Sequence, residues 1–178
     1  MKFKQLSFLI LLLPSVCFSS EIYFSPDGGA TDAVIKHINL SLHEIDVAVY
    51  SFTSGEIADA LAKAAERGVK IRLIRDQIQS SNKNDENAFL KKSGVEIQIR
   101  TGKGRGIMHD KFAIFDGRQV LTGSFNWTEN AERNNFENAF FTDEKTVVDA
   151  YEKQFEHIWS LPLPARSNVH HHNKSFPG

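Results

Sequence analysis

The sequence predicts an α/β fold: one mixed β-sheet flanked by helices on both faces, in a single domain. Three observations lead there. Strand-like and helix-like segments alternate through the first half, which implies parallel βαβ units. Two strand segments follow one another closely after residue 108, which adds antiparallel strands to the sheet. The 178 residues are 41% hydrophobic and 24% charged, with 14 Phe. That composition supports one core and excludes a disordered, collagen-like or coiled-coil chain as the main state.

The first segment is a targeting signal rather than part of the fold. Met1-Lys2-Phe3-Lys4 is basic, Leu6 to Leu13 is apolar apart from Ser7, Pro14 breaks the run, and small residues surround Ser19 and Ser20. This is the pattern of a secretory signal peptide over 1–20, too short for a comfortable membrane span. Cleavage is expected after Ser19 or Ser20, with a periplasmic or secreted destination and no stable membrane insertion afterwards. Cleavage removes Cys17, the only cysteine. The mature chain then has no disulfide, no thiol nucleophile and no Cys-ligated zinc.

The domain is expected over 21–160. Ile22-Tyr23-Phe24 reads as a strand, ended by Ser25-Pro26-Asp27-Gly28-Gly29. Thr31 to Leu42 places Val34, Ile35, Ile38 and Leu42 on one helical stripe. Ile45 to Tyr50 is a β-branched run suited to a buried strand. Thr53-x-x-Glu56 reads as a capping box before a helix carrying Ile57, Leu61 and Ala64, with Gly68 as its stop. Residues 69–74 alternate as a strand, 84–92 suggest a short helix, and 95–99 alternate again. Thr101 to Gly106 is a glycine-rich basic loop. Strands are expected at 109–115, 119–123 and 136–142. Asp143 is expected to cap a last helix with Val147, Tyr151, Phe155 and Ile158 on one stripe. A polar tail, 161–178, follows.

Charge is nearly balanced in total but uneven along the chain. Residues 70–111 carry ten basic and five acidic groups, whereas 21–69 carry three and eight. A phosphate-rich partner can dock on the basic segment, although charge alone favours an ordinary solvated face.

The chemistry concentrates in Met108-His109-Asp110-Lys111-Phe112-Ala113-Ile114-Phe115-Asp116 and Gly123-Ser124-Phe125-Asn126. On a strand, residues two apart share a face, so His109 and Lys111 project together while Phe112 and Ile114 face the other way. An imidazole titrates near neutral pH and can attack or move a proton. An ammonium beside it holds phosphate oxygens as charge develops. Ser124 and Asn126 can offer a hydroxyl and an amide to the same oxygens. Each signal is weak alone, because a lone His is usually structural and a Ser and an Asn after Gly are usually a turn.

Together they read H-x-K, four residues, D, six residues, G-S-x-N. This resembles the HKD signature of the phospholipase D superfamily, and among its members the small exported bacterial endonucleases of the Nuc type. The resemblance extends from Tyr23-Phe24-Ser25-Pro26 through Val47-Ala48-Val49-Tyr50-Ser51-Phe52-Thr53 to Asn134-Asn135-Phe136-Glu137-Asn138. It implies a phospholipase D-like αβα sandwich. It implies His109 as the nucleophile of a phosphohistidine intermediate, and Lys111, Ser124 and Asn126 as phosphate-binding groups. It implies Glu137 as the carboxylate that orients the histidine, and Asp116 as a supporting acid, consistent with its facing away from His109. Larger members carry two such motifs, whereas this chain has one. The resemblance therefore implies a homodimer with one His109 from each subunit at a shared site. No metal and no cofactor are expected.

Arg100, Lys103 and Arg105 are the candidate grip on nucleic-acid backbone, against the alternative of a solvated loop. The loop lacks the G-x-x-x-x-G-K-[ST] pattern of a nucleoside-triphosphate site. Trp127 reads equally as a stacking platform or as core. His170-His171-His172 reads as an incidental cluster. The expected activity is metal-independent, sequence-nonspecific endonucleolytic hydrolysis of DNA, with RNA a further substrate. The alternatives are a phospholipase D acting on lipid headgroups and a noncatalytic nucleic-acid-binding module.

Overall fold

A computed structural model describes residues 19–81 and 86–163. Residues 1–18 of the expected signal segment, residues 84–85 of the expected short helix, and the tail from residue 164 lie outside the described residues. Seven strands and five helices alternate in the order β1 (Ser20–Ser25), α1 (Ala30–Leu40), β2 (Glu44–Val49), α2 (Gly55–Glu66), β3 (Lys70–Asp76), α3 (Asn87–Lys92), β4 (Glu96–Arg100), β5 (Lys111–Phe115), β6 (Gln119–Gly123), α4 (Glu129–Arg133), β7 (Glu137–Thr142) and α5 (Lys145–Ser160).

The strands form one sheet in the order β1-β7-β6-β5-β2-β3-β4. β2, β3 and β4 run parallel, and every other neighbouring pair is antiparallel. This is the predicted mixed sheet. The parallel half comes from the two crossover helices α2 and α3. The antiparallel half comes from the tight β5–β6 connection at Asp116–Gly117, both at positive φ.

Alternation along β5 divides the interior. Ala113 and Phe115 point into a core shared with Val34 and Ile38 of α1 and Ile57 and Leu61 of α2. Phe112 and Ile114 point the other way, into a second core with Val148, Phe155 and Ile158 of α5. Arg72 ties α5 to the sheet. It donates to both Asp46 carboxylate oxygens (2.7 and 2.6 Å) and to Glu156 (2.6 Å). Its guanidinium also lies 4.8 Å from the Phe155 ring centre and 5.4 Å from that of Trp159. The Asp46 hydrogen bonds outweigh the cost of burial and hold the Arg72 pKa above its ordinary value.

Three local expectations differ from the structure. The α2 cap is Ser54, whose Oγ accepts from Ile57 N–H at 3.4 Å, rather than Thr53. The N–H groups of Thr53 and Ser54 both donate to the Trp127 carbonyl (2.9 and 3.0 Å), which fixes the turn that enters the helix. The α5 cap position is Glu144, without a side-chain cap. Asp143 turns instead to accept from Ser19 N–H (2.7 Å). The five-residue α4, capped by Thr128 Oγ1 to Ala131 N–H (3.1 Å), was not expected. It is too short to show an apolar period.

Candidate active site

The C-terminal ends of the parallel strands, the start of β5, the end of β6 and the start of β7 all meet at one edge of the sheet. In open α/β sheets, ligand crevices form beyond the carboxyl ends of parallel strands. Here His109, Lys111, Gly123, Ser124, Asn126 and Glu137 line a recess of about 340 Å³. Six residues spread over 29 positions of sequence thus line one hollow.

His109 lies just before β5 in extended chain rather than within the strand. Two contacts fix that approach. Tyr50 N–H donates to the Asp110 carbonyl (2.9 Å), and Met108 N–H donates to Asp76 Oδ2 (3.0 Å). Asp76 is buried at the end of β3, and its other oxygen accepts from Ile78 and Gln79 N–H. The Tyr50 ring packs against the imidazole, with ring centres 4.5 Å apart, and underlies the Lys111 ammonium at 5.1 Å. Tyr50 and Asp76 are the positioning residues that sequence reasoning missed. The only signal was their place at the carboxyl ends of β2 and β3.

The remaining groups are arranged as donors. Asn126 Oδ1 accepts from Ser51 N–H (3.2 Å), which leaves its Nδ2 hydrogens for the recess. Ser124 Oγ accepts from Asn138 N–H (3.1 Å), so its hydroxyl proton is free to donate. Gly123 permits this turn, since its φ is +149° and a Cβ there would overlap the Asn138 carbonyl. Lys111 Nζ donates to the His109 carbonyl (2.7 Å) and keeps further hydrogens for an anion. Burial lowers the Lys111 pKa below the ordinary lysine value, while Glu137 and Asp110 oppose that shift. A carboxylate therefore shares the recess with the ammonium. Glu137 accepts from Asn135 Nδ2 (3.0 Å) and donates its own N–H to Ser25 Oγ (3.2 Å).

Asp116 sits at the opposite end of β5. Its carboxylate accepts from the backbone N–H of Leu42 (2.9 Å), His43 (2.7 Å) and Glu44 (3.0 Å). It braces the α1–β2 turn and touches no recess residue.

One expected contact is corrected. Arg100 is only 2% exposed, and its guanidinium donates to the Pro162 carbonyl (3.0 Å), the Trp159 carbonyl (2.6 Å) and Gln98 Oε1. As the last residue of β4 it points inward to anchor the end of α5, so it offers nothing to a phosphate. Lys103 and Arg105 remain exposed on the loop. Trp127 is core, 2% exposed and edge-on to Phe52 at 5.2 Å. Among the described residues no group of three or more His, Cys, Asp or Glu side chains could hold a metal ion.

Residues 34–159 match the cardiolipin synthase, PLD-like domain family. The chain belongs to the phospholipase D superfamily. It is accordingly a phosphodiester hydrolase. The structure is similar to that of NucT from Helicobacter pylori, with a TM-score of 0.78 and 27% identity, covering 83% of this chain and 99% of that one. It is also similar to Nuc from Salmonella typhimurium, a phospholipase D family member, with a TM-score of 0.74 and 30% identity over 80% of this chain and 94% of that one. These matches mark it as a Nuc-type member of the superfamily. In sequence it is 35% identical over 142 residues to the mitochondrial cardiolipin hydrolase of Xenopus laevis, covering 78% of this chain and 67% of that protein. The chain thus spans about two thirds of that relative's length.

Proposed function

We propose that this chain is an exported endonuclease that hydrolyses DNA, and RNA as a further substrate, without a metal ion, as a homodimer with a shared active site. The observation that carries the reading is the single-motif recess on a fold that accounts for 99% of NucT. Hydrolysis through a covalent intermediate needs one group to attack phosphorus and another to protonate the leaving oxygen. The recess contains one imidazole, and a second copy of the chain supplies the other. Exposed aromatic rings beside the recess favour such an association. Phe136 is 93% exposed next to Glu137, and Phe24 is 60% exposed opposite Asn138 on the neighbouring strand.

In the first step neutral His109 attacks phosphorus, and the phosphorus–oxygen bond to the leaving strand breaks. That oxygen takes a proton from the imidazolium of the partner subunit's His109. In the second step the partner imidazole, now neutral, takes a proton from water. The resulting hydroxide displaces His109 from phosphorus, and both histidines return to their starting states. Lys111 Nζ, Ser124 Oγ and Asn126 Nδ2 hold the non-bridging oxygens as negative charge builds.

A second reading is supported by the cardiolipin hydrolase relative: hydrolysis of a lipid phosphodiester. One assay separates the two. Purified mature protein is incubated with plasmid and with cardiolipin vesicles, each in excess EDTA. Plasmid cutting that survives EDTA and is lost in His109→Ala is the expected outcome. Vesicle hydrolysis with intact plasmid would establish the lipid reading, and activity restored only by magnesium would end the metal-independent one.

A further inference from the structure

Beside the recess runs a second, larger hollow of about 670 Å³, between the loop after β4 and the end of α5. Its floor and lips are apolar: Met108 and Ile158 are buried, while Ile107 and Leu161 are each 41% exposed. Its mouth carries Lys103, Gln154 and His157, all exposed. His109 lines both hollows, so whatever occupies the groove is continuous with a phosphate at the nucleophile. The walls are held together by Arg100, whose bonds to the Trp159 and Pro162 carbonyls fix the end of α5 against β4. The volume falls within the range of about 300–1,000 Å³ typical of small-molecule sites.

We propose that this groove is the subsite for one nucleobase next to the phosphate under attack; the proposal rests on the endonuclease reading above. A base has two flat apolar faces and a polar edge. The groove pairs an apolar floor with an amide, an imidazole and an ammonium at its mouth. A hydrocarbon chain in the same place would gain nothing from Lys103, Gln154 and His157, which stay exposed at the mouth. Lys103 at the mouth complements the next phosphate along the strand. Apolar seating of successive bases tolerates any sequence, because every base has an apolar face. A base reaches the groove only by leaving its stack, and that cost is smallest where the strand is already unpaired.

The test uses wild-type protein and a single-stranded DNA oligonucleotide carrying one abasic nucleotide at a defined position. Cleavage of the phosphodiester on one side of the abasic position should fall about tenfold relative to the intact oligonucleotide. An Ile107→Glu, Leu161→Glu double variant, changed at two half-exposed positions, should cut the intact oligonucleotide about tenfold more slowly. It should also cut abasic and intact strands alike. Circular dichroism checks that the variant is folded. Equal cleavage of abasic and intact strands by the wild type would overturn the subsite. So would a variant that loses cardiolipin-vesicle hydrolysis while cutting DNA normally, which would make the groove a site for hydrocarbon. Failure of the endonuclease reading looks different: the wild type then leaves the intact oligonucleotide uncut.

Discussion

Asp116 separates what the HKD signature says from what it means. The letter stands beside His109 and Lys111 in the motif, yet the side chain works at the far end of the sheet. Parity in the sequence set residue 116 on the face opposite 109 and 111, but what separates it from the recess in the structure is the length of β5, since Asp116 lies in the turn beyond the strand's far end. Its backbone partners were not legible, because nothing in the sequence says which amides a carboxylate at a φ of +51° will meet. Burial acts to raise its pKa, but hydrogen bonds from the Leu42, Glu44 and His43 amides outweigh it and hold it below the ordinary value. A carboxyl whose folded pKa is depressed stabilises the fold fully above its unfolded value, near 3.9, and loses that contribution as pH falls through the folded one. Asp116→Asn keeps a residue tolerant of positive φ but removes the charge. It should cost about 1–2 kcal/mol at neutral pH, measured by urea unfolding, and the cost should shrink in acid. Specific activity per folded molecule should change little, since the recess is at the other end of the strand. A large fall in turnover without a loss of stability would place Asp116 in the chemistry after all.

At the scale of elements, periodicity located nearly every strand and helix of the described chain, and the misses share a cause. Residues 69–74 alternate because β3 has one face toward α2 and the other toward α5. The capping residue of α2 does not follow from periodicity. It depends on how the Thr53 and Ser54 N–H groups both meet the Trp127 carbonyl, a contact between segments more than seventy residues apart. Ser54→Ala should therefore destabilise the protein by about 1 kcal/mol, and Thr53→Ala by clearly less; thermal unfolding of the two variants side by side checks the assignment. The loop after β4 shows the same limit. Arg100, Lys103 and Arg105 look equivalent as letters, but Arg100 ends a strand and is drawn into the carbonyls of the α5 terminus, whereas the other two sit on the glycine-rich turn. A Lys103→Ala, Arg105→Ala pair should weaken binding of single-stranded DNA and flatten the plot of log affinity against log salt by about 1.5. An unchanged slope would mean that the loop is merely solvated. The analogous change at Arg100 should instead lower the melting temperature, because it releases α5 from β4.

At the scale of the whole molecule, the single motif sets a stoichiometric requirement. In the mechanism proposed above, one His109 is consumed as nucleophile in the first step and cannot protonate the leaving group in the same event. The other histidines of the described chain are elsewhere. His37 is buried against Phe115 and Phe141, and His157 lies at the mouth of the groove. His43 follows α1, beside the Asp116 brace at the far end of the sheet. The proposed symmetric partner would place a second His109 at the site without a second motif in the chain, and the exposed Phe24 and Phe136 rings offer apolar surface where the copies would meet. Mixing wild-type chains with an equal amount of His109→Ala chains, under conditions that allow subunit exchange, then produces mixed dimers with one intact imidazole each. These cannot complete the two steps. Activity should fall toward the wild-type homodimer fraction, about one quarter by random pairing. Phe136→Asp should lower activity in parallel with the dimer fraction seen by sedimentation, because it places a charge on the apolar surface beside Glu137. Activity that instead tracked the number of wild-type chains, or a monomeric Phe136→Asp protein that turned over normally, would mean that each subunit carries its own acid and that the shared site does not exist.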